Sequence, residues 1–444
     1  MQLPNTIPLS PLRQLVNWIV RPYNFLDKCA RNYGDTFTIK LVGYPPLVFL
    51  SNPQAIKEIF AADAKQFDAG RSNGILRSLL GSNSLLLLDG DLHRRQRKLL
   101  MPPFHSEKVK SYGETICQIT KEVGNQWQPN HLFLASKAMQ DITLEVILQT
   151  VFGLREGERY QQLKPLLVSL LDLTGFSLCN IYIFFPWLQQ NLGGWSPWGK
   201  VVRQRKQIYE LLQAEIEERR SQSSVTENDL LSLMLLARDE DGQPLTDLEL
   251  KDELITMLVV GHDTTAAALA WALYWIHKSP EVKAKLLQEL TSLGDSPNPL
   301  KIASLPYLTA VANESLRIYP IVPNVFPRVA RQEVKINGKS FPSETTFVPC
   351  IYLLHHRKDI YPEPKQFKPE RFLKRQFLGW EFMPFGGGNR RCLGSALAML
   401  EIKLVLATIL TDFSLKLASE QPIKPRLRRL SIVPSNGVPL VVSD

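Results

Sequence analysis

Residues Leu254 to Tyr274 are apolar nearly all round, inside a run from Asp247 to Lys278 that reads as one long helix. A surface helix shows an apolar stripe; an apolar girdle marks a helix buried on every side. Such a helix must be wrapped by other elements, which sets the scale and centre of the fold. In its middle stand Gly261, His262, Asp263, Thr264 and Thr265. Polar groups there cost free energy unless they are paired. Gly261, Thr264 and Ala268 share one face at helical spacing and are small, so a flat group can lie close. A hydroxyl beside a carboxylate can pass protons to a reacting group. Threonines hydrogen-bonded back to their own helix are an equally open reading of these residues alone.

The second constraint is Phe385-Gly-Gly-Gly-Asn-Arg-Arg-Cys392-Leu-Gly394, followed by a helical run from Ser395 to Phe413. Glycines at 386, 387, 388 and 394 permit unusual backbone angles and the close approach of a flat ligand. A cysteine just before a helix gains from the positive end of the helix dipole. The arginines at 390 and 391 favour its thiolate further. No second cysteine or histidine stands at zinc spacing. One thiolate with open space opposite suits a haem iron, although a free cysteine in a turn fits these residues as well.

The whole pattern discriminates between these readings. Phe385, Gly388, Arg390, Cys392 and Gly394 match, position for position, the haem-binding loop of the cytochrome P450 family. Gly261, Asp263, Thr264 and Thr265 resemble that family's oxygen-activation motif, with Val260 where a small residue is usual. Glu314-Ser-Leu-Arg317 and Pro369-Glu370-Arg371-Phe372 resemble its structural triad behind the haem. These motifs fall in the family's order and span nearly the whole chain.

The resemblance implies a mainly α (α+β) fold. Haem b would lie between the long central helix and the cysteine-loop helix, with a small β-sheet region to one side. It implies Cys392 as the iron ligand, Phe385 beside the sulfur, and Arg390 on a haem propionate. His93 and Arg97, four apart on the basic helix Leu92 to Leu100, match further propionate partners, as does Arg328. Asp263 and Thr264 would relay protons. Arg95 and Lys98, on another face of that helix, are expected to meet the electron donor.

Length alone, 444 residues, suggests about three domains, but no linker, repeat or low-complexity segment divides the chain. One domain over residues 1–444 is expected. Five scattered cysteines argue for a reducing compartment without a disulfide framework. The segment MQLPNTIPLSPLRQ has neither a long apolar run nor a signal-peptide layout, so no transmembrane anchor is expected. The formal charge of +9 suits an acidic protein partner or an anionic membrane, and no nucleic-acid motif accompanies it. The expected protein is a cytoplasmic monomer, with contact at a membrane surface left open.

Along the chain, Asp35 to Ser51 reads as a β-hairpin and Pro53 to Ala61 as a short helix. Residues 66 to 90 read as a loop region over the site. Residues 107 to 165 read as helices with polar joints and no visible chemistry. Ser169 to Leu188 is the most apolar stretch, but Asp172, Gly175, Asn180 and Pro186 interrupt it. It reads as core or as a lid over the substrate channel. Val201 to Arg220 reads as an amphipathic helix after a loop at 189–200, with a polar loop at 221–228. Glu333 to Ile336 and Thr345 to Cys350 read as strands, with a turn at Asn337-Gly338. Pro320 to Val325 lines the pocket by resemblance, and Phe413 to Val442 reads as terminal strands.

The implied reaction is monooxygenation with O2 and electrons from a separate ferredoxin-type donor. The implied substrate is long and apolar: a fatty acid first, then a terpenoid, retinoid or steroid, since the resemblance is strongest to cyanobacterial members. Arg71 or Arg77 could pair with a substrate carboxylate, but plain solvation is the favoured reading. Two rivals remain: a haem-thiolate isomerase or peroxygenase, and a non-enzymatic membrane-surface binding protein.

Overall fold

The computed structural model describes residues 3–62, 65–104, 106–175, 189, 196–221, 229–294, 297–428 and 430–443. Its axis is the 32-residue helix Asp247–Lys278, with the boundaries the sequence predicts. Thr246 caps its start in a capping box with Glu249, so orphan amides at both positions are satisfied. Among the described residues it alone is long and apolar enough to cross a membrane. Its apolar window is 72% buried, as a core helix requires.

Four elements do most of that burying: a flanking helix Ala135–Thr150, the cysteine-loop helix Ser395–Asp412, the helix Pro306–Ile318 and the strand Ser431–Pro434. Trp271, fully buried, donates its indole N–H to the carbonyl of Ile432 and so ties the central helix to that strand. One large apolar cluster holds these helices together.

The sheet region lies apart from the helical core. Strands Thr36–Ile39 and Leu47–Leu50 form the expected hairpin, and Pro53–Ala61 the expected helix. Leu47–Leu50 then pairs in parallel with Thr346–Pro349. Arg328–Ala330 and Phe67–Asp68 complete a five-stranded sheet. The Asn337-Gly338 turn, both residues at positive φ, joins Val334–Ile336 to Lys339–Phe341. Thr345 to Cys350, read as a further strand, is the strand Thr346–Pro349, while the short hairpin partner Lys339–Phe341 was not foreseen. A period-2 pattern is too weak to register over three residues. The strand Leu132–Leu134 escaped notice for the same reason. The amphipathic helix is Pro197–Ser221. Much of the lid expected within Ser169 to Leu188, including Phe176, Ile181, Phe184 and Trp187, lies outside the described residues.

Two buried ionic clamps fix the layers. Arg317 and Glu314 are both fully buried and paired at 2.7 Å, and Arg371 reaches the same carboxylate at 3.1 Å. Arg317 also donates to the carbonyl of His355, and Glu314 accepts from the Lys368 amide. This is the triad expected from the sequence, with Glu314 and Arg317 fully buried and Arg371 partly so. At the other clamp, Asp252 and Glu253 on the central helix accept the backbone amides of Asn83 and Leu85. Gln96 of the basic helix Gly90–Leu100 donates to Glu253 and to the carbonyl of Asn83. The loop before the basic helix is thereby fastened to the central helix.

Burial raises the Glu253 carboxyl from 4.5 to about 8, against the pull of its hydrogen bonds to Leu85 and Gln96. A carboxyl raised on folding stays protonated in the native state after the unfolded chain has lost its proton. Its contribution is therefore full below pH 4.5 and falls as pH rises to about 8. Glu253→Gln should flatten the fall of the thermal midpoint across that window and raise the midpoint at pH 8. Parallel melting curves for variant and parent across the window would contradict this.

Candidate active site

The cysteine loop is closed by its own backbone, with the Cys392 amide donating to the carbonyl of Phe385 at 3.0 Å. Gly386 and Gly388 take positive φ. A Cβ at Gly387 would stand 2.3 Å from the ring of Phe60, and one at Gly388 would stand 2.8 Å from the Phe60 carbonyl. The clearance expected for a flat ligand is here taken up by the helix Pro53–Ala61. The loop is glycine-rich at these two positions because Phe60 lies against it, ring at Gly387 and backbone at Gly388.

Cys392 has an exposed thiol, yet it is crowded by protein on its flanks. Burial pushes its pKa up; the Gly394 amide, Arg97 and Arg391 pull it down without prevailing. The expected thiolate is thus corrected for the ligand-free chain: desolvation outweighs dipole and arginines. On the central helix, Met257, Val260, Gly261 and Thr264 are only half-buried. These positions share one helical face. Thr264 and Thr265 donate back to the carbonyls of Val260 and Gly261 at 2.6 and 2.9 Å. Asp263 is buried and accepts from Gln140 at 3.1 Å.

The structure brings together four sequence-predicted groups. His93 and Arg328 are buried, and Arg97 and Arg390 are close beside them. Burial lowers His93 to about 3, and Arg390, Arg97 and Arg328 add to the effect while Asp89 opposes it. Burial and mutual repulsion lower Arg328, and burial and Arg97 lower Arg390, each to about 10. Arg97 donates to the carbonyl of Arg391, and Arg328 to that of Phe326. Three guanidiniums therefore share a poorly solvated region with Asp89 in contact and Asp68 within electrostatic reach of Arg390. A region so short of negative charge is built to receive an anion.

That carboxylate, Asp89, was missed by sequence reasoning. It accepts the amides of Ala69, Gly70 and Arg71 and ion-pairs with Arg390 at 2.7 Å. Arg390 also donates to the carbonyls of Leu85 and Leu88. The only signal was an aspartate preceding a helix, which is too common to single out. Gln140 was missed because its helix carries no motif.

Arg95 and Lys98 are corrected. Arg95 is ion-paired with Asp239 and Glu249 at 2.6 and 3.1 Å, and Lys98 with Glu240 at 2.6 Å. Acidic residues 140 positions and more along the chain neutralise the face expected to meet a donor. Arg71 is likewise engaged by Asp68 and Glu344, as the solvated reading favoured, and Arg77 is exposed.

The fold and site define a haem-thiolate oxidoreductase. A family model, Cytochrome P450, matches residues 4–440, and the chain belongs to that family. A Mycobacterium tuberculosis protein named cytochrome P450 135B1 is 37% identical over 440 residues, covering 98% of this chain and 90% of its own. Cytochrome P450 135A1 of the same organism is 32% identical, covering 94% and 90%. The solved structure titled retinoic acid bound cyanobacterial CYP120A1 superposes with a TM-score of 0.85 at 26% identity, covering 100% of this chain and 99% of that one. The cofactor is haem, iron protoporphyrin IX, and the chemistry is monooxygenation. The open thiol and the anion-seeking cluster both fit that cofactor.

Asp89→Ala would leave Arg390 and three amides short of an acceptor, and should cost about 3 kcal/mol. A denaturant titration showing less than about 1 kcal/mol would contradict the central place given to Asp89.

Proposed function

We propose that the chain hydroxylates a large hydrophobic molecule with O2 and electrons from a separate ferredoxin-type donor. Cys392 is the iron ligand in this reading. Arg97, Arg328 and Arg390 neutralise the propionates, neutral His93 donates a hydrogen bond to one of them, and Phe385 packs beside the sulfur. Haem supplies the oxygen-transfer chemistry; the chain binds, orients and delivers protons. The observation that carries the reading is the gathering of Arg97, Arg328 and Arg390 in a poorly solvated region near the exposed Cys392.

Thr264 holds its hydroxyl at the half-buried face of the central helix while Asp263 stands one residue away, so a proton can pass from carboxyl to hydroxyl. Retention of this pair favours an O2-dependent enzyme over an isomerase or peroxygenase. Apolar side chains support the substrate class. Leu88 of the loop before the basic helix is half-buried, and Leu86, also half-buried, packs against the core beside Leu85 and Leu87. The retinoic acid in the similar cyanobacterial structure is itself a long apolar acid. Arg71, spent on Asp68 and Glu344, is not assigned to a substrate carboxylate. Exposed Arg391 and the net charge of +9 support an acidic donor.

Cys392→Ala should abolish the red-shifted band of the reduced carbon monoxide complex, and survival of that band would remove Cys392 as ligand. Titration of the haem-loaded protein with palmitic acid, retinoic acid and a terpenoid should shift the haem absorption for at least one of them. Arg71→Ala should leave that response unchanged. A shift with small polar compounds and none with these three would overturn the substrate class.

A further inference from the structure

We propose that Gln140 is a positioning residue for proton delivery: it holds the Asp263 carboxylate against the flanking helix. Ala135–Thr150 is the most extensive packing partner of the central helix. Its inward face is apolar and small, with Ala138, Met139 and Ile142 buried. Two of its polar side chains, Gln140 and Thr143, meet the oxygen-activation motif. Gln140 donates its amide N–H to Oδ1 of Asp263 at 3.1 Å. Thr143 sits 2.8 Å from Nδ1 of His262 and 3.3 Å from the His262 carbonyl. Gly261 completes the contact, since a Cβ there would stand 3.4 Å from Ile147.

Successive helical residues point about 100° apart. With Thr264 on the open face, the Asp263 carboxylate is directed to the flanking helix. Gln140 is half-buried and Asp263 is buried, so Gln140 lies on the outer side of the pair. A long glutamine half-withdrawn from water loses hydration, which the carboxylate restores by accepting its N–H. The carboxylate in turn is held in one orientation, with Thr264 as the next residue inward. A proton taken up from water on an Asp263 oxygen then moves to the Thr264 side as the carboxyl leaves Gln140, and the carboxylate returns. The bonds made and broken are O–H bonds only, and no charge accumulates over the cycle.

The inference rests on the relay role proposed for Asp263, and the test separates the two. Gln140→Met keeps the length and removes the donor; Gln140→Glu keeps the shape and removes both N–H groups. Each is prepared haem-loaded, with a surrogate ferredoxin, its reductase and palmitic acid. Haem content, the carbon monoxide band and the thermal midpoint should match the parent. The share of electrons released as hydrogen peroxide should rise at least threefold, and the solvent deuterium isotope effect on electron consumption should change. A crystal structure should show the Asp263 carboxylate displaced from its place beside residue 140. In an Asp263→Asn background, Gln140→Met should add nothing, because residues acting through one another are not additive. If Asp263→Asn leaves peroxide release unchanged, the relay itself fails. If Asp263→Asn raises it while both Gln140 variants behave as the parent and Asp263 stays in place, the positioning role fails and the relay stands.

Discussion

A helix apolar all round must be covered everywhere, and here one face must stay open. That conflict organises the molecule. The flanking helix, the cysteine-loop helix, Pro306–Ile318 and the strand Ser431–Pro434 cover the Asp247–Lys278 helix. The half-buried Met257, Val260, Gly261 and Thr264 mark the face that is spared. Polar contacts brace the layers around that helix: Glu314 joins Arg317 and Arg371, while Asp252, Glu253 and Gln96 fasten the loop before the basic helix.

Electrostatics prepares the site for its occupant. His93, Arg97, Arg328 and Arg390 are gathered from three separate parts of the chain. Burial and mutual repulsion disfavour their charged forms. Asp89 relieves part of this and simultaneously caps three amides of the loop at 69–71. A dianionic cofactor relieves the rest. The Cys392 thiol follows the same logic: desolvation keeps it neutral in the free chain, and an iron bond would ionise it. Stability of the empty fold is thus given up locally where cofactor binding restores it.

The sequence by itself determined the long buried helix, the cysteine loop, the triad, and His93 with the three arginines. Each is a local pattern or a motif whose spacing survives without coordinates, and the family followed from them. It also placed the hairpin at Thr36–Leu50, where β-branched runs flank a turn. Only the tertiary structure decided what lies against what. Gly387 reads as ligand clearance until Phe60 is found against it. Arg95 and Lys98 read as a docking face until Asp239, Glu249 and Glu240 arrive from far along the chain. Asp89 and Gln140 carry no pattern at all; their importance lies in partners 301 and 123 residues away. Hydrogen bonds and ion pairs act over a few ångströms, and folding alone sets which residues come within that reach.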